Sequence, residues 1–362
     1  MRRIIAVAPL ALLMACGLNG TDRQQGGGKD SARSAPADTN LADAMASVEN
    51  PKSSNQPDPR PVMQAQVVLE RLGFGPGVID GAMGLSTRNA LKGFQEASGL
   101  SVTGELDDAT RQAMAQWNGI ASTRTVTIPA DWGQTPYVPI PDDPAAQARM
   151  TRLGYASLDE RLAERFHTTI DALRALNGVP VGSIFSAGQR INVPNIGADR
   201  IVPGAVKDAA WIATMASLGV GSSQPKIARI VVDKSEGWLK GYDKAGKLVA
   251  MFTVTTGSRH DPLPLGEWGI NGVARNTPFA FDPDLFWDVP DNQADQQLPP
   301  GPNGPVGVVW IDLTKPHYGI HGTAEPQTIG RAQSHGCVRL TNWDVARLAQ
   351  MVSGSTKVLF QA

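Results

Sequence analysis

The chain has 362 residues, 33 Lys and Arg against 34 Asp and Glu, a net charge of -1 and 41% hydrophobic residues. A balance this close to neutral carries no field that would recruit nucleic acid, so partners are to be sought in discrete sites. The length predicts two or three domains.

The first sixteen residues, MRRIIAVAPLALLMAC, put two arginines ahead of an apolar run from Ile4 to Met14, with Leu13-Met14-Ala15 directly before Cys16. That is the pattern of a secretory signal. The eleven apolar residues are too few for a membrane-spanning helix, which takes about 20. A cleavage site that abuts a cysteine resembles the bacterial lipoprotein signal. The resemblance implies a signal peptide over 1–15, lipidation of Cys16 and a membrane anchor. Gly17 in place of Asp is what such signals carry when the product is sent to an outer membrane. From Gly17 to Pro61 the chain is rich in Gly, Ser, Pro, Asn and Asp. A tether (16–61) is expected, with a root-mean-square reach of about 40 Å and a taut length of about 150 Å.

Over 62–117, apolar residues recur at helical spacing: Val68, Leu69 and Leu72, then Ala90, Leu91, Phe94 and Ala97, then Ala109, Met114 and Trp117. Three short helices are predicted, with Ser86 and Asp107 capping the second and third and Gly99 ending the second. The run of LxxLGF, an Asp80–Gly84 turn, AxxxFQ and GLxVTG is similar to the small helical peptidoglycan-binding domain of exported bacterial enzymes. The Asp80 turn lacks alternating acidic ligands and reads as an Asx turn, not a calcium loop.

A linker is expected over 118–152. Within 153–195, Leu158, Leu162 and Phe166 mark one amphipathic helix and Ile170, Leu173 and Leu176 a second, with Thr168 or Thr169 as its cap and His167 in the turn. ERFHTTIDALRALNG followed by AGQRINVP resembles the second half of a LysM module, a glycan-binding fold of two helices on a two-stranded sheet. The opening strand of such a module is not recognisable. A second linker is expected over 196–225.

From 226 to the end the periodicity becomes two, in IARIVVD, WLKGYD and KLVAMFTVTTG, with further strand-like runs at Gly307–Leu313 and Lys357–Phe360. One helix follows Thr341 or Asn342. The chain is therefore expected to be multidomain α+β: a three-helix bundle, a degenerate LysM-like α/β module, and a mostly β, sandwich-like domain carrying a C-terminal helix.

If Cys16 carries lipid, Cys337 is the one free thiol of an exported protein and has no disulfide partner. Its neighbours His335, Gly336, Arg339 and His321 are polar or cationic, a setting that favours the thiolate. The segment GVVWIDLTKPHYGIHGTAEPQTIGRAQSHGCVRLTNWDVARLA closely resembles the catalytic motif of the L,D-transpeptidases, in which IHGT, IG and SHGC[IV]R follow in this order. The match extends over about 135 residues. It implies the substrates, peptidoglycan stem peptides and glycan, and the chemistry. Cys337 attacks the carbonyl joining the third stem residue, diaminopimelate, to D-alanine; a thioester forms, D-alanine leaves, and an amine takes the acyl group. His321 matches the catalytic histidine and Gly322 the residue whose carbonyl orients it. The N–H groups at His335, Gly336 and Cys337 are candidates for the oxyanion turn. His335 stands where relatives also carry Lys and is expected to support the loop and stabilise charge. Arg339 is a candidate for holding a substrate carboxylate or raising thiolate character. No cofactor or metal is implied, and carbapenem-type β-lactams are expected to acylate Cys337.

The acceptor stays open: a second stem peptide, a lipoprotein lysine, a free D-amino acid, or water, which would make the protein an L,D-carboxypeptidase. Two other readings are a zinc peptidase using His317, His321, His335 and Cys337, and a non-catalytic scaffold between membrane and wall. The first is disfavoured because Pro316 and Gly319 make improbable the helix that an H-x-x-x-H pair needs.

Overall fold

A computed structural model describes residues 58–362 apart from 198–199, 286–288 and 290–292. The expected signal, Cys16 and all but the last four residues of the expected tether lie outside the described residues.

The first unit holds α1 (Pro61–Leu72), the short strand β1 (Phe74–Gly75), α2 (Leu85–Ala97) and α3 (Asp108–Met114). Asp107 caps α3, its Oδ1 accepting from the Thr110 N–H at 2.8 Å. Ser86 caps nothing: α2 begins at Leu85, and its cap position is Gly84, two residues earlier. Ala109 is exposed and Thr110 is buried in its place, because Gln95 reaches across to it. The buried Gln95 amide donates to Thr103 Oγ1, the Glu105 carbonyl and Thr110 Oγ1, and accepts from the Thr103 and Gly104 N–H groups, so one glutamine ties down the whole GLSVTG loop. Asp80 Oδ1 accepts from the Ala82 N–H at 2.8 Å, an Asx turn.

The second unit contains β2 (Thr123–Thr127), α4 (Pro144–Gln147), α5 (Leu158–Arg165), α6 (Ile170–Leu176) and β3 (Arg190–Pro194). Strands β2 and β3 pair antiparallel from Thr123–Pro194 to Thr127–Arg190. The opening strand that the sequence did not reveal is thus TRTVT, displaced upstream into the residues expected to be a linker. Ile128, Leu162, Phe166, Leu173, Phe185, Ile191 and Val193 fill a core of their own. Thr169, not Thr168, caps α6; the Thr168 hydroxyl donates instead to the Ile79 carbonyl of the first unit at 2.6 Å.

The second expected linker is also structured. Helix α7 (Ala209–Leu218) runs from an Asp208 cap to Gly219 and buries Trp211, Met215 and Leu218 in the main core. One face, Trp211, Thr214, Met215 and Leu218, is buried, but the exposed face carries Ala209, Ala210 and Ala213, so polarity does not alternate with burial and the helix is hidden from a periodicity reading.

The third unit carries β4 (Arg229–Asp233), β5 (Trp238–Tyr242), β6 (Leu248–Thr253), β7 (Gly266–Arg275), β8 (Phe279–Phe281), β9 (Gln296–Leu298), β10 (Val309–Leu313), β11 (Gly319–His321), β12 (Val338–Arg339), α8 (Asn342–Met351) and β13 (Lys357–Gln361). The main sheet has the order β1-β6-β5-β4-β13-β7-β10-β11-β12, with β8 and β9 a separate hairpin. The long β7 joins two leaves, pairing with β13 through Gly266–Gly269 and with β10 through Ile270–Arg275. Past the end of β6, Thr255 and Arg339 exchange backbone hydrogen bonds of 3.0 and 2.8 Å, so the free edge of β12 meets the continuation of β6 and the sheet closes on itself as a sandwich. Helix α8, capped by Thr341, packs inside this closure.

The first unit shares the core of the main sheet, and the second, with its own core, is bonded to both. Strand β1 adds to the catalytic sheet parallel to β6, Phe74 opposite Met251. At the junction, His167, expected only as a turn residue, is 2% exposed; its Nδ1 lies 2.8 Å from Glu70 Oε1, its Nε2 2.7 Å from the Leu218 carbonyl, and its ring stacks on Trp343 at 4.8 Å. Arg347 of α8 donates to the same Glu70 oxygen at 2.8 Å.

Candidate active site

The pairing of β10, β11 and β12 sets Trp310, His321 and Arg339 in one row, because Trp310 is opposite His321 and His321 opposite Arg339. Cys337 stands immediately before β12, two residues from Arg339. The Arg339 guanidinium acts on both the Cys337 thiol and the His321 imidazole, which are sixteen residues apart in sequence.

His321 is 4% exposed. Its Nδ1 lies 2.8 Å from the Gly322 carbonyl, so Nδ1 carries the proton and donates it, leaving the Nε2 lone pair as the basic site. Trp310 stacks on the ring at 5.6 Å. Burial, reinforced by the Arg339 guanidinium, pushes the imidazole down to about 3, against the opposing pull of the Gly322 carbonyl.

Cys337 is half-buried, with Sγ 3.8 Å from the His317 carbonyl. Burial raises the thiol above its ordinary value; the Gly319 N–H and Arg339 act in the other direction and are outweighed. The polar neighbourhood expected to yield a thiolate does not: in the free protein this is a thiol beside a neutral imidazole.

The turn before the thiol is held on both sides. Ser334 donates its hydroxyl to the Cys337 carbonyl at 2.6 Å, its N–H bonds the Thr256 carbonyl at 3.1 Å, and its own carbonyl accepts from Ser258 N–H at 3.1 Å. Gly336 has φ +98°, and a Cβ there would stand 2.5 Å from Tyr318 Cε1, so both the backbone and the packed ring demand glycine. His335 is half-buried next to this turn. Tyr318 is a half-buried ring under the turn, its phenol raised chiefly by burial and then by the nearby Cys337 and Asp261.

The zinc ligands considered from sequence are not gathered. His317, at φ +66°, offers its carbonyl to Cys337, and among the described residues no group of three or more His, Cys, Asp or Glu side chains could hold a metal ion.

Sequence reasoning did not assign Asn342 beyond a helix cap. Its Oδ1 accepts from the Val308 N–H at 3.2 Å, and its Nδ2 donates to Glu164 Oε1 at 2.8 Å and to the Pro302 carbonyl at 3.0 Å. Glu164 lies on α5 in another unit, a partnership that no local pattern announces.

Comparison with known proteins follows this geometry. Family models match residues 227–359 as an L,D-transpeptidase catalytic domain, residues 59–114 as a peptidoglycan-binding domain and residues 160–194 as a LysM domain. The chain is 31% identical over 199 residues to the L,D-transpeptidase YkuD of Bacillus licheniformis, covering 55% of this chain and 90% of that protein. It is 29% identical over 135 residues to the L,D-transpeptidase YbiS of Escherichia coli, covering 36% and 44%. Among solved structures it is similar to an L,D-transpeptidase from Mycobacterium smegmatis, with 17% identity, 50% and 76% coverage and a TM-score of 0.31, and to the catalytic domain of the Enterococcus faecium enzyme, with 18% identity, 38% and 99% coverage and a TM-score of 0.27. The chain belongs to the L,D-transpeptidases, enzymes that act on peptidoglycan.

Proposed function

We propose that Cys337 is the nucleophile of this L,D-transpeptidase and His321 its base. The observation that carries this is the His321 Nδ1–Gly322 carbonyl bond of 2.8 Å, which leaves Nε2 as the proton acceptor. The thiol attacks the carbonyl between the third stem residue, diaminopimelate, and D-alanine, passing its proton to Nε2 as the C–S bond forms. The protonated imidazole then gives that proton to the departing amine of D-alanine, leaving a thioester. An acceptor amine attacks it, loses a proton to Nε2, and the sulfur leaves and is reprotonated. The N–H groups of the His335–Cys337 turn stabilise the oxyanion, Gly336 making that turn possible. Arg339 supplies positive charge beside the sulfur, and His335 supports the turn.

The chain acts outside the cytoplasm on the wall. Within that setting, the reading extends to residues beyond those described: cleavage before Cys16, lipidation there, an outer-membrane anchor, and a 16–61 tether that lets the enzyme reach the wall. The same reading keeps units at 62–117 and 226–362 and widens the middle one from 153–195 to take in β2, leaving 196–225, with α7, as the connector. Acceptors are a second stem peptide first, with a lipoprotein lysine, a D-amino acid and water as alternatives on the same acyl-enzyme. Carbapenems acylate Cys337 because their strained carbonyl opens without a leaving group that needs positioning.

Incubation with a disaccharide-tetrapeptide, read by mass spectrometry, tests the reading. A dimer lighter by one D-alanine and an acyl adduct on Cys337, both missing in Cys337→Ala, are expected. D-alanine release without dimer indicates water or an absent acceptor. No reaction from folded protein returns the chain to the scaffold reading.

A further inference from the structure

The hydrogen bond that fixes the His321 tautomer ends on Gly322, and Gly322 has no freedom of its own. Its N–H bonds the Val306 carbonyl at 3.1 Å, and the His321 carbonyl accepts from the Leu340 N–H at 2.9 Å. Its Cα is packed against Asn342: a Cβ at Gly322 would run into Asn342 Oδ1, as would one at Gly307, which stands against Gly322 from the other side. The Asn342 carboxamide is a plug behind the orienting carbonyl. The plug is held by three hydrogen bonds, of which the Val308 N–H and the Pro302 carbonyl are supplied by the catalytic unit. The third partner, Glu164 Oε1 at 2.8 Å, is 178 residues away on α5, the first helix of the LysM-like module. Asn342 is 0% exposed and Glu164 7% exposed, so no solvent competes for this bond.

We infer that the LysM-like module is a positioning element of the catalytic centre, in which Glu164 locks the Asn342 carboxamide against Gly322 and so holds the His321 imidazole in its basic tautomer. Both residues are positioning residues; neither reaches the reacting atoms. A module of this kind is usually read as a glycan holder, which predicts effects on KM that depend on sugar. Positioning predicts effects on kcat that do not. The inference rests on His321 being the base.

The test compares the full-length wild type, in mild detergent, with Glu164→Met, Glu164→Gln and His321→Ala. The donors are a disaccharide-tetrapeptide and the free tetrapeptide, which carries no sugar. Methionine keeps the side-chain volume and deletes the acceptor, whereas glutamine keeps an oxygen for Asn342 Nδ2. Expected for Glu164→Met is a kcat lower by about 10- to 100-fold on both donors, KM within about twofold of wild type, and loss or broadening of the downfield Nδ1–H resonance of His321, identified by its absence in His321→Ala. Glu164→Gln restores kcat and the resonance to within about threefold. Wild-type kcat and an unmoved resonance in Glu164→Met overturn the inference, as does a defect confined to the sugar-bearing donor or an equal defect in Glu164→Gln. If Glu164→Met does not fold, Glu164→Ala takes its place with the same criteria, and if neither folds while Glu164→Gln matches wild type in kcat and resonance but loses stability, the bond is structural and the inference fails. Turnover by His321→Ala instead removes the assignment of the base, whatever Glu164 does.

Discussion

Alkylation of Cys337 by iodoacetamide as a function of pH reads the ground state of the site directly. Burial raises the thiol above its ordinary value and pushes the imidazole down to about 3, so before substrate binds the proton stays on Sγ and is not passed to Nε2. The free protein then carries little thiolate at pH 7. The rate of modification, followed on the Cys337 peptide by mass spectrometry, is therefore expected to rise about tenfold per pH unit from pH 6 to 9, without a plateau. Arg339→Gln removes the positive charge that favours the thiolate and lowers the rate at pH 8 by about 3- to 10-fold. A plateau with an inflection near pH 6 would mean a preformed ion pair and would refute the argument from burial. Because the rate of attack would then no longer depend on His321 taking the proton during bond formation, the proposed mechanism would change with it.

Other consequences are equally open to measurement. Gly336→Ala puts a side chain at φ +98° and against Tyr318, and is expected to lower kcat at least about 100-fold while the circular dichroism spectrum is kept; activity within threefold of wild type would show the turn to be dispensable. Glu164 is raised from 4.5 to about 7 by burial, opposed by hydrogen bonds from Tyr155 and Asn342. An acid raised in the folded state favours its neutral form, so stability is lost as pH climbs from 4.5 through 7, by about 3 kcal/mol in all. Glu164→Gln, which has no charge to bury, should gain about that amount in urea unfolding at pH 8 and almost nothing at pH 4. A chelator should leave turnover unchanged; loss of activity restored by zinc would revive the peptidase reading. A carbapenem should add its mass to the wild type and not to Cys337→Ala, while Cys337→Ala remains folded.

Residues close in sequence were legible and those joined through space were not. SHGC, IHGT and the intervening spacing were enough to nominate Cys337, His321, Gly322 and Gly336, since the bonds that hold them, His321 Nδ1 to the Gly322 carbonyl and Ser334 to the Cys337 carbonyl, are local in sequence. Strands β4 to β6 and the α8 helix announced themselves through alternation and a Thr341 cap. The protonation state of Cys337 was misread because Arg339 is visible in the string whereas desolvation is not, and here desolvation is the larger effect. Helix α7 escaped because its exposed face is alanine and not polar, and β2 because the module it opens is interrupted by about thirty residues before α5. Asn342 looked like a cap since nothing local says that its amide faces Glu164.

The junction of the three units gives a reason for their fusion. The two His167 nitrogens bridge Glu70 Oε1 and the Leu218 carbonyl. Glu70, held low by Arg347 and His167 despite its burial, also accepts from Arg347 at the same oxygen. Such a cluster adds little stability compared with an apolar replacement, because desolvating the charges offsets much of their attraction. What it does supply is a unique register: α1, the α5–α6 turn and α8 each contribute a group that is unsatisfied unless the other two are in place. Asn342 and Arg347 lie five residues apart on α8, one facing α5 behind Gly322 and the other facing α1. Movement of either accessory unit is thus felt along a single helix whose first residue stands behind Gly322. A wall-binding domain joined by a flexible linker would raise the local concentration of substrate and nothing more. Here the first unit shares a core with the sheet and donates a strand to its edge, and the LysM-like unit, on a core of its own, reaches Asn342 through Glu164.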